Sequence, residues 1–338
     1  MSKIRVGING MGRIGRTVLR EIFNRGVEEI EVVAVNSPGL PEDYVHLLKY
    51  DSVHGRFKAD VSIEDGHILD INGKKIIFHK YRDPSEIPWS HHKVDIVIDA
   101  TGVFKDQKGL GKHLGGTVKK VIMCAPGKDL DGTFVMGINH EQYDSENHHI
   151  ISNASCTTNC LAPVAKVLND SFGVESGFMT TVHSYTGDQC ILDSSHSDKR
   201  RARAAAISMI PTTTGAAKAV GLVIPELKGK LDGFAIRVPT PNVSLVDLNV
   251  ILKKDVTVEE VNNALKEATT SSLQGILAFE EEQLVSCDYF GMRESSCVDA
   301  TLTNVIEGKN VKVVTWYDNE AGFSNRVIDL ATFVGKQL

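Results

Sequence analysis

Three features of the sequence predict an α/β chain of two domains. Residues 3–35 pass from a strand-like run through a glycine-rich turn and a helical pattern to a second strand-like run. Two further apolar runs, at residues 94–99 and 121–125, each end in a turn of small residues. The chain has 338 residues, which exceeds the roughly 100–200 residues of one domain. We therefore expect a parallel sheet flanked by helices first, and a second domain after it.

The N-terminal segment has the spacing of a βαβ unit that binds a dinucleotide. Residues 3–9 alternate apolar and polar side chains as a strand does, and residues 10–15 form the motif G-x-G-x-x-G. Gly10 permits the tight turn, Gly12 lets the backbone approach a pyrophosphate, and Gly15 lets the helix pack closely on the strand. The helix start then offers N–H groups to the phosphates, so a dinucleotide cofactor is predicted.

The turns after the next two strands are candidate walls of the same site. Thr101 and Gly102 follow one strand, and Pro126 and Gly127 follow the other. Ligands of open α/β sheets bind at the carboxyl ends of the strands. Because small residues also simply terminate strands, the sequence leaves both interpretations open.

Composition and charge exclude several other classes of protein. The net charge of −6 predicts no general affinity for nucleic acid or for an anionic membrane surface. No apolar run approaches the roughly 18 residues of a membrane span, and no signal-peptide core is present, so a cytoplasmic protein is expected. The six cysteines predict no disulfide framework. Cys156 and Cys160 form a lone C-x3-C pair, a poor zinc site, and no metal is predicted.

The segment SNASCTTNC, residues 152–160, is the strongest candidate for chemistry. Ser155 is a favourable N-cap, and apolar residues follow at helical spacing. Cys156 is then expected in the first turn, where the helix terminus lowers the pKa of a thiol. Pro163 is expected to kink this helix. The alternative is that Cys156 is a small core residue, which its polar neighbours disfavour.

His183 is the preferred base for this thiol. A nucleophilic cysteine needs a base within hydrogen-bonding reach, and the chain has twelve histidines. His183 follows a strand-like run and has hydroxyl residues on both sides, so a strand could hold it rigidly.

Two further segments are candidates for binding an anion. Residues 212–218, TTTGAAK, are a second helix start that carries hydroxyls. Arg237 lies in an apolar strand, where a charge must be paired, and a phosphate or carboxylate ligand could be its partner. The basic run at 198–203 is interpreted as a solvated face, since one short run in an acidic chain is a weak nucleic-acid signal.

Together these motifs resemble the phosphorylating glyceraldehyde-3-phosphate dehydrogenases of type I. The resemblance runs essentially end to end and is most specific in SNASCTTNC and RVPTPNVS. It implies an NAD(P)-binding Rossmann domain over residues 1–154 and an α+β catalytic domain with a mixed, largely antiparallel sheet over 155–318. It also implies a C-terminal helix, within 319–338, that returns to the first domain. A homotetramer is implied as well, in which the segment 184–206 reaches a neighbour's cofactor site.

The resemblance also implies a reaction and the residues that perform it. Cys156 attacks the aldehyde of glyceraldehyde 3-phosphate, His183 acts as the base, and inorganic phosphate cleaves the resulting thioester to 1,3-bisphosphoglycerate. The residues implied for the substrate phosphate are Thr186, Arg201 and Arg237. Those implied for the attacking phosphate are Ser155, Thr157, Thr214 and Gly215. Those implied for the cofactor are Asn9, Gly10, Gly12, Arg13, Ile14, Ser37, Arg82, Thr101, Gly102, Cys124, Ser195 and Asn319.

Two departures from the family's usual pattern predict that both NAD and NADP are used. Ser37 occupies a position usually held by Asp, which binds the adenosine ribose and repels a 2′-phosphate. Ser194-Ser195 stands where strictly NAD-using members often have Leu-Pro, and it resembles the plastid and cyanobacterial members that accept NADP. Two other departures concern single side chains. Phe323 replaces a usual Tyr. Cys124 replaces a usual Ser or Thr and is expected to be a tolerated small residue, with a second accessible thiol as the alternative.

Two rival interpretations are set against this one. Erythrose-4-phosphate dehydrogenase shares SNASCTTNC and often has Phe at the site of Phe323, but its phosphate loop usually lacks TTTGAAK, which this chain has. A binding protein for RNA or other partners is a rival of another class. The acidic net charge and the complete catalytic set disfavour it.

Overall fold

The computed structural model describes residues 3–338 and divides the chain into two compact units. The first unit comprises Met1–Phe134, His140–Ala154 and Ser324–Leu338. The second unit comprises Val135–Asn139 and Ser155–Phe323. The predicted fold class, a Rossmann domain with an α+β domain, is confirmed by the two sheets described below.

The first unit is built on a nine-stranded sheet with the order β10-β11-β9-β8-β1-β2-β7-β6-β5. Its strands are β1 (Ile4–Asn9), β2 (Ile30–Asn36), β5 (Val61–Glu64), β6 (Ile68–Ile71), β7 (Lys74–His79), β8 (Ile96–Asp99), β9 (Lys120–Met123), β10 (Gly132–Thr133) and β11 (Ile150–Ser152). A small antiparallel pair, β3 (Tyr50–Asp51) and β4 (Gly55–Arg56), lies outside this sheet. The helices are α1 (Arg13–Arg25), α2 (Pro41–Lys49) and α3 (Gln107–Leu110).

The strands from β10 to β7 are parallel, and β6 and β5 add an antiparallel edge. The central strands β8 and β9 are buried along their whole length, as expected of a sheet covered on both faces. The predicted helix α1 ends at Gly26, whose left-handed backbone (φ 60°) forms the C-cap. Parallel pairing aligns the carboxyl ends of β1, β2 and β8 at one edge of the sheet, where a ligand is expected.

The second unit contains a seven-stranded, largely antiparallel sheet with the order β13-β14-β12-β15-β18-β17-β16. Its strands are β12 (Val174–Ser184), β13 (Ile210–Thr213), β14 (Leu231–Val238), β15 (Ser244–Leu252), β16 (Leu277–Glu280), β17 (Ser296–Ile306) and β18 (Asn310–Tyr317). Its helices are α4 (Cys156–Phe172), α5 (Ala216–Val223) and α6 (Val258–Thr270). The last helix, α7 (Ala321–Gly335), begins in this unit, and its residues from Ser324 onwards belong to the first.

Helix α4 continues through Pro163, so this proline does not end it. Most of the helix is buried, including Leu161, Val164 and Leu168 at helical spacing. Burial of this apolar face stabilises the helix by more than the one backbone hydrogen bond that a proline removes.

None of the helices over residues 3–338 is long and apolar enough to cross a membrane. Within the same range, no group of three or more His, Cys, Asp or Glu side chains is arranged to hold a metal ion.

Candidate active site

Cys156 is the first residue of α4, in the predicted position. Ser155 caps the helix, since its Oγ accepts a hydrogen bond from the Thr158 N–H at 2.9 Å and lies 2.7 Å from Thr158 Oγ1. Ala154, just before the cap, has a φ of 58°, which few residues other than glycine adopt. This turn leaves the Cys156 thiol half-buried at the helix start.

β12 brings the imidazole of His183 to this thiol. His183 Nε2 lies 3.6 Å from Cys156 Sγ. His183 Nδ1 lies 2.7 Å from the Ser184 carbonyl oxygen, to which Arg237 Nη1 also donates at 3.1 Å. Nδ1 therefore lies between a carbonyl oxygen that only accepts and Arg237 Nη1, 3.0 Å away, which only donates. We assign the ring proton to Nδ1, because its contact with the carbonyl is the shorter one and Nη1 already donates to that carbonyl. Nε2 is then left with its lone pair to take the proton of the thiol.

The surroundings keep the imidazole neutral. Burial and the charge of Arg237, whose Nη1 lies 3.0 Å from Nδ1, lower the pKa of His183 to about 3. Burial raises the pKa of Cys156, while Arg237, Thr157 and the Cys156 backbone N–H lower it. The net shift is upward, so the predicted lowering by the helix terminus is wrong as a net effect. Desolvation of the sulfur outweighs the helix start, and the thiol depends on His183 for its activation.

Two arginines act on the same imidazole. Arg237 lies directly beside His183 in the parallel register of β12 and β14. Its Nε is buried and has no hydrogen-bond partner among residues 3–338. Arg201 donates from Nε to Thr212 Oγ1 at 2.9 Å and from Nη1 to Asp188 Oδ2 at 2.6 Å. Both charges lower the pKa of His183. A half-buried guanidinium with a buried, unused Nε–H donor, near a second guanidinium, suits an oxyanion.

Thr186, the third residue predicted for the substrate phosphate, is exposed in the loop after β12. Its N–H and hydroxyl both donate to Gln189 Oε1, at 2.8 and 3.2 Å. The same loop carries Asp188, the partner of Arg201. The structure therefore links Thr186 and Arg201 through one ordered loop.

An oxyanion bound at Arg237 and Arg201 is expected to raise the pKa of His183. Its negative charge would offset the two positive charges that now oppose an imidazolium, so the ring would take up its proton at a higher pH. Titration of the His183 resonances by NMR, with and without sulfate, measures this difference. In an Arg237→Gln variant the effect of sulfate should be smaller. An unchanged or lower pKa in saturating sulfate would contradict the proposed anion site.

The residues predicted for the attacking phosphate lie at two helix starts. Ser155 and Thr157 begin α4, and Thr214 and Gly215 precede α5, which packs against α4. Thr214 Oγ1 accepts a hydrogen bond from the Ala216 N–H at 3.2 Å. Gly215 is the N-cap of α5 and provides no side-chain cap. The second unit thus offers two helix N-termini with hydroxyls, on helices that touch each other.

Tyr317 is a residue of this region that sequence reasoning missed. Its hydroxyl lies 2.8 Å from Thr157 Oγ1 and 2.9 Å from Thr181 Oγ1. Its ring meets that of His183 edge-on, with centroids 5.9 Å apart. An aromatic residue at the end of an apolar strand is usually a core residue, so no local pattern predicts this contact.

Asn319 has its side-chain amide oriented by two hydroxyls. Ser184 Oγ and Ser244 Oγ both donate to Asn319 Oδ1 at 2.9 Å. Since both bonds use the oxygen, the amide nitrogen is the end that they leave for a ligand. Val243, next to Ser244, is buried with a φ of 65°, a strained value for a β-branched residue. The strained residue Val243 thus directly precedes Ser244, whose hydroxyl orients the Asn319 amide.

In the first unit, the turn between β1 and α1 has the shape that a dinucleotide requires. Gly10 has a φ of 96°, and a Cβ there would lie 2.8 Å from the Thr101 backbone nitrogen. A Cβ on Gly15 would lie 1.8 Å from the Gly10 carbonyl oxygen. Gly12 has open space around its missing Cβ and caps α1 without a side chain. This glycine cradle and helix start fit a pyrophosphate.

Three other residues predicted to bind the cofactor, Arg13, Ile14 and Arg82, differ in their surroundings. The Arg13 guanidinium holds Asp51, with Nη1 2.6 Å from Oδ2. Burial tends to raise the pKa of Asp51, but hydrogen bonds from His54, Arg13 and Val53 outweigh it and lower the pKa to about 2. Ile14 is half-buried in the first turn of α1, and Arg82 is exposed after β7. Because Arg13 is directed to Asp51, the backbone at the helix start is the better candidate for the pyrophosphate contact.

Asn9 belongs to a buried polar network at the carboxyl ends of β1, β2 and β8. Its Nδ2 donates to Asp99 Oδ2 at 2.8 Å, and its Oδ1 accepts from Asn36 Nδ2 at 2.8 Å. Trp89 Nε1 donates to His113 Nδ1 at 3.0 Å, so His113 carries its proton on Nε2, 3.2 Å from Asp99 Oδ2. Asn9, Asp99 and His113 are all buried. This favours a role for Asn9 in fixing the strand ends over direct contact with a cofactor.

The candidate walls of the cofactor site continue from this network. Thr101 donates from its hydroxyl to Asp99 Oδ1 at 2.7 Å, and Gly102 follows with a φ of 65°. Cys124 comes directly after β9 and is half-buried. Burial raises the pKa of Cys124 well above its ordinary value, which keeps the thiol neutral and unreactive. This supports its interpretation as a tolerated small residue.

Ser37 lies at the end of β2 and bonds to a second hydroxyl. Its Oγ is 2.6 Å from the hydroxyl of Tyr44 on α2, and its N–H donates to the His79 carbonyl at 3.0 Å. Ser37 is only 4% exposed. The ring of Tyr44 packs against Phe78 at 5.4 Å between centroids. Sequence reasoning found Ser37 but not Tyr44.

Two further positions singled out in the sequence are Ser195 and Phe323. Ser195 is exposed in the loop 185–209, where the neighbouring Ser194 N–H donates to the Ala202 carbonyl at 2.9 Å. Phe323 is buried in the first turn of α7.

Comparison with known proteins decides the family. The model described as "Glyceraldehyde 3-phosphate dehydrogenase, NAD binding domain" matches residues 4–107, and "Glyceraldehyde 3-phosphate dehydrogenase, C-terminal domain" matches residues 155–319. The chain belongs to the glyceraldehyde-3-phosphate dehydrogenase family. The resemblance seen in the sequence is thereby confirmed.

Individual relatives match over nearly their full length. Glyceraldehyde-3-phosphate dehydrogenase 1 of Bacillus cereus is 59% identical over 330 residues, which are 98% of each chain. Glyceraldehyde-3-phosphate dehydrogenase of Geobacillus stearothermophilus is 59% identical over 334 residues, 99% of each chain. Glyceraldehyde-3-phosphate dehydrogenase 2 of Nostoc sp. is 57% identical over 335 residues, again 99% of each chain. Overall identity therefore does not separate cyanobacterial from bacillar relatives.

Proposed function

We propose that this enzyme oxidises glyceraldehyde 3-phosphate to 1,3-bisphosphoglycerate, reversibly, with NAD or NADP and inorganic phosphate. The observation that carries the proposal is the contact of 3.6 Å between Cys156 Sγ and His183 Nε2, with Arg237 beside the same imidazole. A nucleophile, a base and an anion site are what a phosphorylating aldehyde dehydrogenase needs. A cytoplasmic location belongs to the same proposal.

The first covalent step forms a thiohemiacetal. The Cys156 thiol proton moves to His183 Nε2 as the sulfur attacks the aldehyde carbon, and a C–S bond forms while the carbonyl oxygen gains a negative charge. That oxygen takes the proton back from the imidazolium. The low pKa of His183 makes its charged form a strong donor for this return. The backbone N–H of Cys156 at the helix start stabilises the developing oxyanion.

The second step converts the thiohemiacetal to a thioester. A bound nicotinamide dinucleotide supplies the hydride acceptor for the substrate carbon. His183 Nε2 takes the hydroxyl proton at the same time, and the carbon becomes the carbonyl carbon of a thioester on Cys156. Residues that would hold the dinucleotide are the glycine cradle at Gly10 and Gly12, the start of α1, and Asn319 through its amide nitrogen.

The third step releases the product. An oxygen of inorganic phosphate attacks the thioester carbon, the C–S bond breaks, and its electron pair returns to the Cys156 sulfur. Thr186, Arg201 and Arg237 would hold the substrate's own phosphate. Ser155, Thr157, Thr214 and Gly215 would hold the attacking one.

A direct assay separates this function from erythrose-4-phosphate dehydrogenase. Both aldehydes are offered with and without inorganic phosphate, and reduction of the dinucleotide is followed. We expect sustained turnover only with glyceraldehyde 3-phosphate and phosphate together. Turnover that prefers erythrose 4-phosphate, or that does not need phosphate, would contradict the proposal. The comparisons give no support to the erythrose 4-phosphate alternative.

Use of both NAD and NADP is the finer part of the proposal. Two hydroxyls that bond to each other use one hydrogen and leave one, so the Ser37–Tyr44 pair can still donate to a ribose or phosphate oxygen. Neither group carries the negative charge with which an Asp would repel a 2′-phosphate. Ser194 and Ser195 would contribute from a neighbouring subunit.

Ser37→Asp is expected to lower kcat/KM for NADP by about two orders of magnitude or more while sparing NAD. A carboxylate near a phosphate is a repulsive pair worth about 4 kcal/mol at 4 Å and an effective dielectric of 20. The Tyr44 hydroxyl, 2.6 Å from Ser37 Oγ, would hold that carboxylate by donating to it. Steady-state kinetics and dinucleotide Kd values from fluorescence quenching measure the effect.

Tyr44→Phe is the matched control for this prediction, because it removes the partner hydroxyl and adds no charge. Its NADP to NAD ratio should change by less than about tenfold, the worth of one hydrogen bond. A wild-type preference for NAD of several orders of magnitude would contradict dual use. So would an unchanged ratio in Ser37→Asp.

A homotetramer is also part of the proposal. The sheet of the second unit has its helices on the face that buries Met179, Leu248 and Val313. On the opposite face Phe178 is 72% exposed, and Phe234 is exposed as well. The loop 185–209 carries further exposed apolar side chains: Ile191, Leu192, Ile207 and Met209. Such apolar surface is typical of a subunit interface. Light scattering at assay concentration should give the mass of four chains, and a monomer would contradict this assignment.

A further inference from the structure

Three buried hydroxyls form a chain that ends at the start of α4. Thr181 Oγ1 lies 2.9 Å from the Tyr317 hydroxyl, which lies 2.8 Å from Thr157 Oγ1. Thr181 and Tyr317 are each 1% exposed, and Thr157 is 4% exposed. Thr181 comes from β12, Tyr317 from the end of β18, and Thr157 from α4. Elements distant in sequence therefore converge on one hydroxyl next to Cys156.

Counting hydrogens shows which direction of this chain leaves a donor for an anion. Three hydroxyls carry three hydrogens, and the two bonds between them use two. If Thr181 donates to Tyr317 and Tyr317 donates to Thr157, the remaining hydrogen belongs to Thr157 and can be donated onward. In the opposite direction, Thr157 would turn only lone pairs toward a ligand, which repels an anion. Bonds in such a chain also polarise one another, so the last donor is strengthened.

Tyr317 is suited to the middle of the chain because it stays protonated. Burial raises the pKa of Tyr317 well above its ordinary value, while Thr157 and Thr181 offset this only in part. Its ring contacts His183 edge-on, so substitution by phenylalanine preserves the packing around the base. The hydroxyl can thus be removed without emptying the site.

We propose that Tyr317 is a positioning residue for phosphorolysis, which holds the Thr157 hydroxyl as a donor to the incoming inorganic phosphate. The inference rests on the proposed function, specifically on Thr157 as a ligand of the attacking phosphate. It assigns Thr181 as the anchor that sets the direction of the chain. Neither residue touches the substrate, and both act through Thr157.

Tyr317→Phe should raise KM for inorganic phosphate by about tenfold, the worth of one hydrogen bond to a charged group. The acylation step should fall by a smaller factor, less than about threefold, because His183 remains and Thr157, which also lowers the pKa of Cys156, keeps its own hydroxyl. Stopped-flow measurement of the burst of reduced dinucleotide without phosphate gives acylation. Steady-state titration with inorganic phosphate gives KM and kcat for the complete reaction.

Further variants separate positioning from a general loss of structure. Thr181→Val should raise KM for phosphate in the same direction by a smaller factor, and Thr181→Ser should restore it. Tyr289→Phe is the matched control: Tyr289 is buried in the same unit, stacks on Trp316, and its hydroxyl has no partner among the described residues. It should leave KM for phosphate unchanged.

The outcomes distinguish this inference from the proposed function. A higher KM for phosphate with an unchanged burst supports it. An unchanged KM for phosphate in Tyr317→Phe, or a fall in the burst equal to the fall in turnover, overturns the role of Tyr317. In either case, phosphate-dependent activity of the wild type would still support the proposed function. A wild-type enzyme that needs no phosphate would overturn the proposed function itself.

Discussion

Cys156→Ser is expected to lower kcat with glyceraldehyde 3-phosphate by roughly four orders of magnitude or more, as loss of a covalent nucleophile does in other enzymes. A hydroxyl is far less acidic than a thiol and is a poor nucleophile at neutral pH. His183 at 3.6 Å could not compensate, since burial and Arg237 have already lowered its pKa to about 3. Steady-state assays and the acylation burst measure the loss.

Cys160→Ser is the matched control for this substitution. Cys160 lies one turn further along α4, is fully buried, and contacts Ser296 Oγ at 3.5 Å. Burial raises its pKa to about 12, so it is a packed thiol with no thiolate to offer. Its kcat should stay within about threefold of the wild type, with some loss of stability from a buried polar substitution. If both variants lose activity equally, the assignment of Cys156 as the nucleophile is wrong.

His183→Gln is expected to lower kcat by roughly two to four orders of magnitude, the usual worth of a general base. The amide can still bond to the Ser184 carbonyl, but it cannot take the thiol proton. Acylation measured by stopped flow should become slower, and its rate should rise with pH into the alkaline range, because the raised pKa of Cys156 then governs the supply of thiolate. A burst within tenfold of the wild type, with an unchanged pH profile, would contradict the role of His183.

Patterns within a few residues of sequence predicted much of the first unit and the start of α4. The glycine spacing, the alternation of residues 3–9 and the capping serine each act within a few residues, so β1, α1 and the place of Cys156 could be predicted. His183 was also found from its neighbours, although its contact with Cys156 spans 27 positions. The family resemblance supplied the antiparallel sheet of the second unit.

The errors and omissions arise from packing between distant segments. The position of Cys156 at a helix start predicted a lower pKa for its thiol. That prediction was wrong because burial by residues of other elements raises the pKa by more. Tyr317, Tyr44 and His113 act through hydroxyls or ring nitrogens whose partners come from separate elements. No local pattern marks such side chains, and in an apolar run a tyrosine is indistinguishable from core.

Trapping the acyl enzyme tests the central claim most directly. The enzyme is mixed with glyceraldehyde 3-phosphate and oxidised dinucleotide without inorganic phosphate, quenched in acid, and analysed by peptide mass spectrometry. The account predicts a phosphoglyceroyl group on the peptide that carries Cys156, formed at the rate of the burst and discharged when phosphate is added before the quench. Reduced dinucleotide produced in full without any adduct on Cys156, or an adduct that phosphate does not discharge, would contradict it.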